Sequence, residues 1–347
     1  MNNNFLKIMQ YKKHIITFSK LGDYLLENLS DDSLKSLYAA ARNENGWFTE
    51  DNVKLALENI AKVYLNKDSL EVFASKYQLK DNLNPKKIGI VMAGNIPAVG
   101  FHDLICTILT GNIALLKLSS SDSVSMMFLI NKLFEFDPEL SDFIKISHRL
   151  NDAEVLIATG SDNTAKHFEY YFVEKPRIIR RNRTSVAILN GNESRTELGN
   201  LGNDIFQYFG LGCRNVSKIF VPADYTFDKF YESIEYWSTI RLHHKYNNNY
   251  DYNKSIYLVN KVPHFDNGFL LLKEEDTLVS PISVCYYQTY ESQEHLQVLL
   301  NEQEEKIQCI VSSEAEFSNS FKFGEAQIPK LDDFADGVDT MSFLMNL

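Results

Sequence analysis

From Lys87 onward the chain alternates short apolar runs with amphipathic stretches. Ile88-Gly89-Ile90-Val91-Met92, Ile113-Ala114-Leu115-Leu116, residues 143–146 and Val155-Leu156-Ile157-Ala158 read as strands, apolar on both faces. Residues 97–110, 123–136 and the stretch from Gly160 to Phe172 read as the helices between them. Such strands belong in a parallel sheet covered by helices on both sides, and ligands of such sheets bind at the carboxyl ends of the strands. Further on, residues 185–189 and Ser217-Lys218-Ile219-Phe220-Val221 read as strands around a helix over 197–209. Strands are also expected at 256–259, 282–286 and 307–311, and the polar, Asn-rich stretch 243–250 reads as a loop. Before Lys87 the pattern is helical: Thr49 is placed to cap a helix whose Val53, Leu57, Ile60 and Tyr64 form one stripe, and Ser30 to cap another before Leu34.

These elements predict an α/β protein with a parallel, doubly wound cofactor-binding sheet, a second α/β catalytic domain and a helical N-terminal region. The expected boundaries are 1–80 for the helical region, 81–184 for the dinucleotide-binding domain, 185–320 for the catalytic domain and 321–347 for a tail. Part of the N- or C-terminal segment is expected to complete the second of these.

Composition narrows the function. Of 347 residues 44% are hydrophobic, ample for a large core. The net charge of −11 opposes nonspecific nucleic-acid binding, which needs a basic footprint. No apolar run is long enough for a membrane span, and no signal-peptide pattern is read, so a cytoplasmic protein is expected. The four cysteines, Cys106, Cys213, Cys285 and Cys309, are far apart, which argues against a metal site or a disulfide framework. Adjacent His243 and His244 lack a third ligand in sequence and read as solvated.

One cysteine differs in setting. In Tyr208-Phe209-Gly210-Leu211-Gly212-Cys213-Arg214-Asn215, Cys213 lies in a glycine-bracketed turn between a helix and a strand. Glycines let the backbone approach a ligand closely, and an accessible thiol there is a candidate nucleophile. Cys106, Cys285 and Cys309 lie in apolar runs and read as buried.

Three other motifs precede it in order: Ala93-Gly94-Asn95-Ile96-Pro97, Gly111-Asn112 leading to a strand that ends in Lys117, and Thr159-Gly160-Ser161. Their order and spacing resemble the aldehyde dehydrogenase superfamily, and within it the LuxC-type acyl-CoA reductase branch. The likeness extends to the tail, Gly324-Glu325-Ala326-Gln327-Ile328-Pro329 and Asp336-Gly337-Val338-Asp339-Thr340-Met341. The resemblance implies an aldehyde dehydrogenase-like fold with Cys213 as the acyl-accepting nucleophile and Asn95 as oxyanion donor. Lys117, with Ser119 beside it, and Gly160 and Ser161 would contact the cofactor. The implied reaction reduces an acyl-CoA thioester to an aldehyde through an acyl-cysteine, with coenzyme A as leaving group. NADPH is preferred, the serines after Lys117 having room for a 2′-phosphate, and NADH is the alternative. A homo-oligomer is expected.

Two departures matter. The general-base glutamate of the hydrolytic branch is replaced by Ile179, in Arg177-Ile178-Ile179-Arg180. The glutamate that holds the nicotinamide ribose is missing before Val279-Ser280-Pro281, where Leu278 stands. An aldehyde dehydrogenase or acyl-phosphate reductase of the same fold, and a noncatalytic binding protein, are the alternatives.

Overall fold

The computed structural model describes residues 9–160, 162–317 and 319–347, and of residues 162–164 the backbone alone. The chain divides into two units, Met1–Arg181 with Lys330–Leu347, and Asn182–Pro329.

The first unit begins with four helices, α1 (Gln10–Asn28), α2 (Lys35–Glu44), α3 (Glu50–Asn59) and α4 (Lys67–Ser75). Thr49 caps α3 as expected, its hydroxyl accepting the Asn52 N–H at 3.3 Å. Ser30 caps nothing: a 3₁₀ turn, Asp32–Leu34, comes first and α2 starts after it.

The sheet follows: β1 (Lys87–Val91), α5 (Phe101–Leu109), β2 (Ile113–Lys117), α6 (Ser123–Phe136), β3 (Ile144–Ile146), β4 (Val155–Thr159), α7 (Asp162–Tyr171) and β5 (Arg177–Arg180). All strands are parallel, in the order β3-β2-β1-β4-β5. On one face Ile88 and Ile90 share a core with Phe101 and Ile105 of α5 and with Phe18 and Leu21 of α1. The N-terminal helices are therefore a layer on this sheet. On the other face Leu156 and Ala158 pack with Phe168 and Phe172. Strand order reverses between β1 and β4, so the loops that leave them, carrying Asn95 and Gly160, flank the switch point where such sheets bind ligands.

Two elements differ from expectation here. Helix α5 starts at Phe101 rather than at residue 97, because Ala98 adopts φ +56 and breaks the helical path. Strand β5 was not expected: arginines at both its ends hide an apolar pair, Ile178-Ile179.

The second unit contains β6 (Thr184–Ile188), α8 (Arg195–Phe206), β7 (Val216–Pro222), α9 (Asp228–Ile234), α10 (His244–Val259), β8 (Phe265–Asp266), β9 (Leu271–Glu274), β10 (Val284–Tyr290), α11 (Gln293–Asn301), β11 (Ile307–Ser312) and β12 (Ser320–Lys322). Its sheet runs β12-β11-β6-β7-β10-β9-β8, parallel except for the β8–β9 pair. The expected loop at 243–250 and strand at 256–259 are one helix, α10. Tyr246, Tyr250, Asn253 and Tyr257 lie buried along one helical stripe, which outweighs the weak helix propensity of the asparagines between them.

Of the expected tail, Lys330–Leu347 belongs to the first unit and is fixed there by buried polar contacts, while residues 321–329 belong to the second. Arg180, the last residue of β5, donates to both carboxylate oxygens of Asp103 on α5, at 2.5 and 2.9 Å, and to the Thr340 hydroxyl at 3.0 Å. All three side chains are buried. Asp339 caps the C-terminal helix Thr340–Met345 by accepting the Ser342 N–H, and it also accepts the Tyr77 hydroxyl at 3.1 Å. Burial pushes the Asp103 pKa up, but the Arg180 guanidinium outweighs this and holds the carboxyl below its ordinary value.

A buried ion that loses its partner is costly. Arg180→Met should therefore destabilise the protein by about 3–5 kcal/mol in chemical denaturation, while the double variant Asp103→Leu/Arg180→Met recovers most of that loss. Because the folded-state pKa of Asp103 is depressed, its contribution is present above the ordinary carboxylate range and is lost as pH falls below it.

Candidate active site

Cys213 lies in a turn closed by the Asn215 N–H donating to the Gly212 carbonyl at 3.0 Å. Of the four cysteines it alone is partly exposed. Burial raises the thiol pKa of the other three, to about 11 for Cys309.

The approach to this turn is unusual. After α8 ends, Tyr208, Phe209 and Gly210 all take positive φ, at 53°, 60° and 75°. Glycine adopts this conformation readily, but for bulky residues it is strained, at about 1–3 kcal/mol each. Two sets of contacts hold it. The Phe209 ring lies 4.2 Å from His243 and 6.2 Å from Tyr246, centroid to centroid. His243, expected to be solvated, instead caps α10 by accepting the Tyr246 N–H at 3.4 Å and forms a wall for this elbow.

The second set centres on Asn215, which is 2% exposed. Its amide donates to the carbonyls of Asp204, Ile205 and Gln207 at 3.0, 3.4 and 2.9 Å, and its oxygen accepts the Gly212 N–H at 2.8 Å. One side chain thus satisfies carbonyls at the open end of α8 and ties them to the turn that carries the cysteine. From β6, the Ser185 hydroxyl donates to the Cys213 carbonyl at 3.0 Å and lies 3.0 Å from the Cys309 sulfur. Arg214 places its guanidinium 5.1 Å from the centre of the Phe321 ring.

Asp204, on the buried face of α8, extends this network. Its carboxylate accepts the Gly324 and Ala326 N–H groups at 2.6 and 3.1 Å, so the Gly324-Glu325-Ala326 segment is fixed by the helix that leads to the cysteine. Gly324 has φ +91, and a Cβ there would come 3.1 Å from that of Asn200. Burial pushes the Asp204 carboxyl up to about 7, against the lowering effect of those two N–H groups. Sequence reasoning missed both Asn215 and Asp204. Their signal was available: an acid on the apolar stripe of Leu198, Leu201 and Ile205, and an amide beside a turn.

The other candidates lie in the first unit. Asn95 is exposed on the loop after β1. That loop is fixed by Asp122, which accepts the Ala98 N–H at 2.7 Å, and by Asn45, whose amide donates to the Gly94 and Ser121 carbonyls at 3.3 Å each. Gly94 is required here, since a Cβ would stand 2.7 Å from that of Ser119. The Ser119 hydroxyl accepts the Ser121 N–H at 3.2 Å, which leaves its O–H free to donate. Lys117 is exposed at the end of β2 and borders a cavity of about 460 Å³ with Arg149, Tyr171 and Lys175. Gly160 follows β4, its N–H donating to the Arg180 carbonyl at 3.3 Å, and Ser161 lies outside the described residues. Cations and an aromatic ring beside the carboxyl end of a parallel strand fit an anionic dinucleotide. Among the described residues no cluster of His, Cys, Asp or Glu could hold a metal ion, and no helix is long and apolar enough to cross a membrane.

The family model for acyl-CoA reductase (LuxC) matches residues 29–230, more than half of the chain. The chain belongs to the LuxC acyl-CoA reductase family. Membership makes it an oxidoreductase at the acyl or aldehyde carbonyl. Solved structures agree on the fold. A putative aldehyde dehydrogenase from Burkholderia cenocepacia is 12% identical, with a TM-score of 0.65 over 87% of this chain and 74% of that one. An aldehyde dehydrogenase from Bacillus cereus in complex with NAD+ is 13% identical, with a TM-score of 0.61 over 88% and 72%. An NADP-dependent enzyme from E. coli is 11% identical, with a TM-score of 0.66 over 88% and 74%. No curated protein sequence matches the chain.

Two outcomes follow for the cysteine turn of this LuxC-family chain. Asn215→Ala, which strands buried carbonyls and the Gly212 N–H, should cost about 2–3 kcal/mol in unfolding and speed hydrogen exchange at Gly212. Asp204 has a raised folded-state pKa, so its contribution is complete below the ordinary carboxylate value near 3.8 and declines as pH rises to about 7. Denaturation across that range should show the decline in the parent protein and a flatter profile in Asp204→Asn.

Proposed function

We propose that this LuxC-family chain reduces an acyl-CoA thioester to an aldehyde through an acyl group carried on Cys213. The observation that carries this reading is that Cys213 is the one partly exposed cysteine, in a turn pinned by Asn215 and Ser185.

In the first step the Cys213 thiolate attacks the thioester carbonyl. A new carbon–sulfur bond forms, the bond to the coenzyme A sulfur breaks, and the coenzyme leaves as a thiolate that takes up a proton. The tetrahedral oxyanion needs fixed donors, a role assigned to the Asn95 side-chain amide with the Cys213 N–H. A reduced nicotinamide dinucleotide, when bound, supplies the hydride that converts the acyl-cysteine to an aldehyde and frees the Cys213 thiolate. Lys117, Ser119, Gly160 and Ser161 are assigned to hold it.

Ile179 stands where the hydrolytic branch carries a base, and an apolar side chain does not activate water. This supports exchange with a thiol over hydrolysis to the acid.

Intact mass spectrometry after incubation with acyl-CoA, without reductant, tests the proposal. The protein should gain one acyl mass, mapped to Cys213, while Cys213→Ala gains none and Cys285→Ala still does. An adduct on another residue, or its persistence in Cys213→Ala, refutes the mechanism.

A further inference from the structure

The loop after β1 is held on both sides of Asn95 by side chains from elsewhere in the first unit. Before Asn95, the Asn45 amide donates to the Gly94 and Ser121 carbonyls at 3.3 Å each, and its oxygen accepts the Trp47 N–H at 3.1 Å. After it, Asp122 accepts the Ala98 N–H at 2.7 Å. Asn45 thus ties the loop after β1 to the loop after β2, and Asp122, the next residue of that second loop, ties it back. Glu44 braces the same place: its carboxylate accepts the Val124 N–H at 3.1 Å and the Ser123 hydroxyl, in the first turn of α6.

This is more support than a surface turn requires. The Ala98 backbone lies in the left-handed region, at φ +56, a strained conformation that persists only where the surroundings impose it. Asp122 is 1% exposed, and its second carboxyl oxygen is buried and accepts no N–H among the described residues. Burying a carboxyl for the sake of one backbone hydrogen bond is costly. Burial pushes its pKa up to about 8, with Glu44 adding to the rise and Ser125 and the Ala98 N–H opposing it, so the group is mainly neutral at pH 7. Between these anchors Asn95 is exposed, next to Gly94 and three residues before Ala98.

We propose that Asp122 and Asn45 are positioning residues for Asn95, fixing its amide by clamping the loop before and after it. The inference rests on the reading above, in which that amide stabilises the tetrahedral oxyanion. Fixed donors are effective because nothing has to rearrange as charge develops. Freeing either anchor therefore slows the chemical step and leaves acyl-CoA binding in place. The N-terminal helices then do more than cover the sheet, since the end of α2 helps to set the geometry of the reaction.

Rapid-quench intact mass spectrometry of the full chain, over a range of acyl-CoA concentrations, tests this. It yields the Cys213 acylation rate at saturation and the half-saturating concentration. Alkylation of Cys213 by iodoacetamide, which develops no oxyanion, reports on the thiol alone. Asp122→Ala should lower the saturated rate at least about tenfold, less than the loss on removing an oxyanion donor outright. The half-saturating concentration and the alkylation rate should stay within about twofold of the parent. Asp122→Asn, which keeps an acceptor for the Ala98 N–H and matches the neutral carboxyl, should restore most of the rate. Asn45→Ala, at a half-buried position, should slow acylation as Asp122→Ala does, and it carries the test if Asp122→Ala does not fold. An unchanged saturated rate in the alanine variants overturns the proposal. So does a loss in Asp122→Asn equal to that in Asp122→Ala, or a parallel fall in alkylation. A parent protein that is never acylated defeats the Cys213 reading and this inference with it, whereas failure of this inference alone appears only in the variants.

Discussion

The buried ion pair between Asp103 and Arg180, joined by Thr340, is the constraint on which the first unit depends. It ties together a helix beside the central strand, the last strand of the sheet and the returning tail. Two charges taken out of water seldom add net stability over apolar residues of the same volume. Arrangements that separate them leave an uncompensated ion in the core and are disfavoured. Arg180 is also the last residue but one before the chain leaves for the second unit. The point of departure is thus among the most tightly specified in the fold.

The second unit applies the same logic without a full ion pair. The cysteine turn is reached through two bulky residues in a backbone conformation that disfavours them. Such strain persists only where the surroundings over-determine it. Asn215 binds the helix end on one side and the turn on the other, Ser185 anchors the next carbonyl from a neighbouring strand, and the His243 ring packs on Phe209. The thiol is therefore carried on backbone that has little freedom to move, which suits a group that must meet a carbonyl at bonding distance.

Much of this was legible along the chain, and the limits of what was legible have physical causes. Strands such as Ile113–Lys117 are continuous apolar runs in register with their neighbours, so local pattern is enough. Helix α10 is not: its asparagines signal a loop, and only the spacing of Tyr246, Tyr250 and Tyr257, which become buried, overrides them. Strand β5 is masked by Arg180, whose charge makes sense only once Asp103 is beside it. The glycines around Cys213 mark a turn, but nothing local shows that Tyr208 and Phe209 share the left-handed region. The tail motif is distinctive in sequence and mute there, because the partners of Asp339 and Thr340, Tyr77 and Arg180, lie far away in the chain.

That separation bears on how the protein comes into being. Residues 1–181 emerge from the ribosome with the Asp103–Arg180 pair lacking Thr340, and they wait through the synthesis of an entire second unit before Lys330–Leu347 appears. Contacts so distant along the chain form slowly and late. During translation the nascent first unit lacks the buried Thr340 contact until the last segment of the chain is made. The unit whose synthesis begins first is thus also the one that needs the last residues of the chain to be whole.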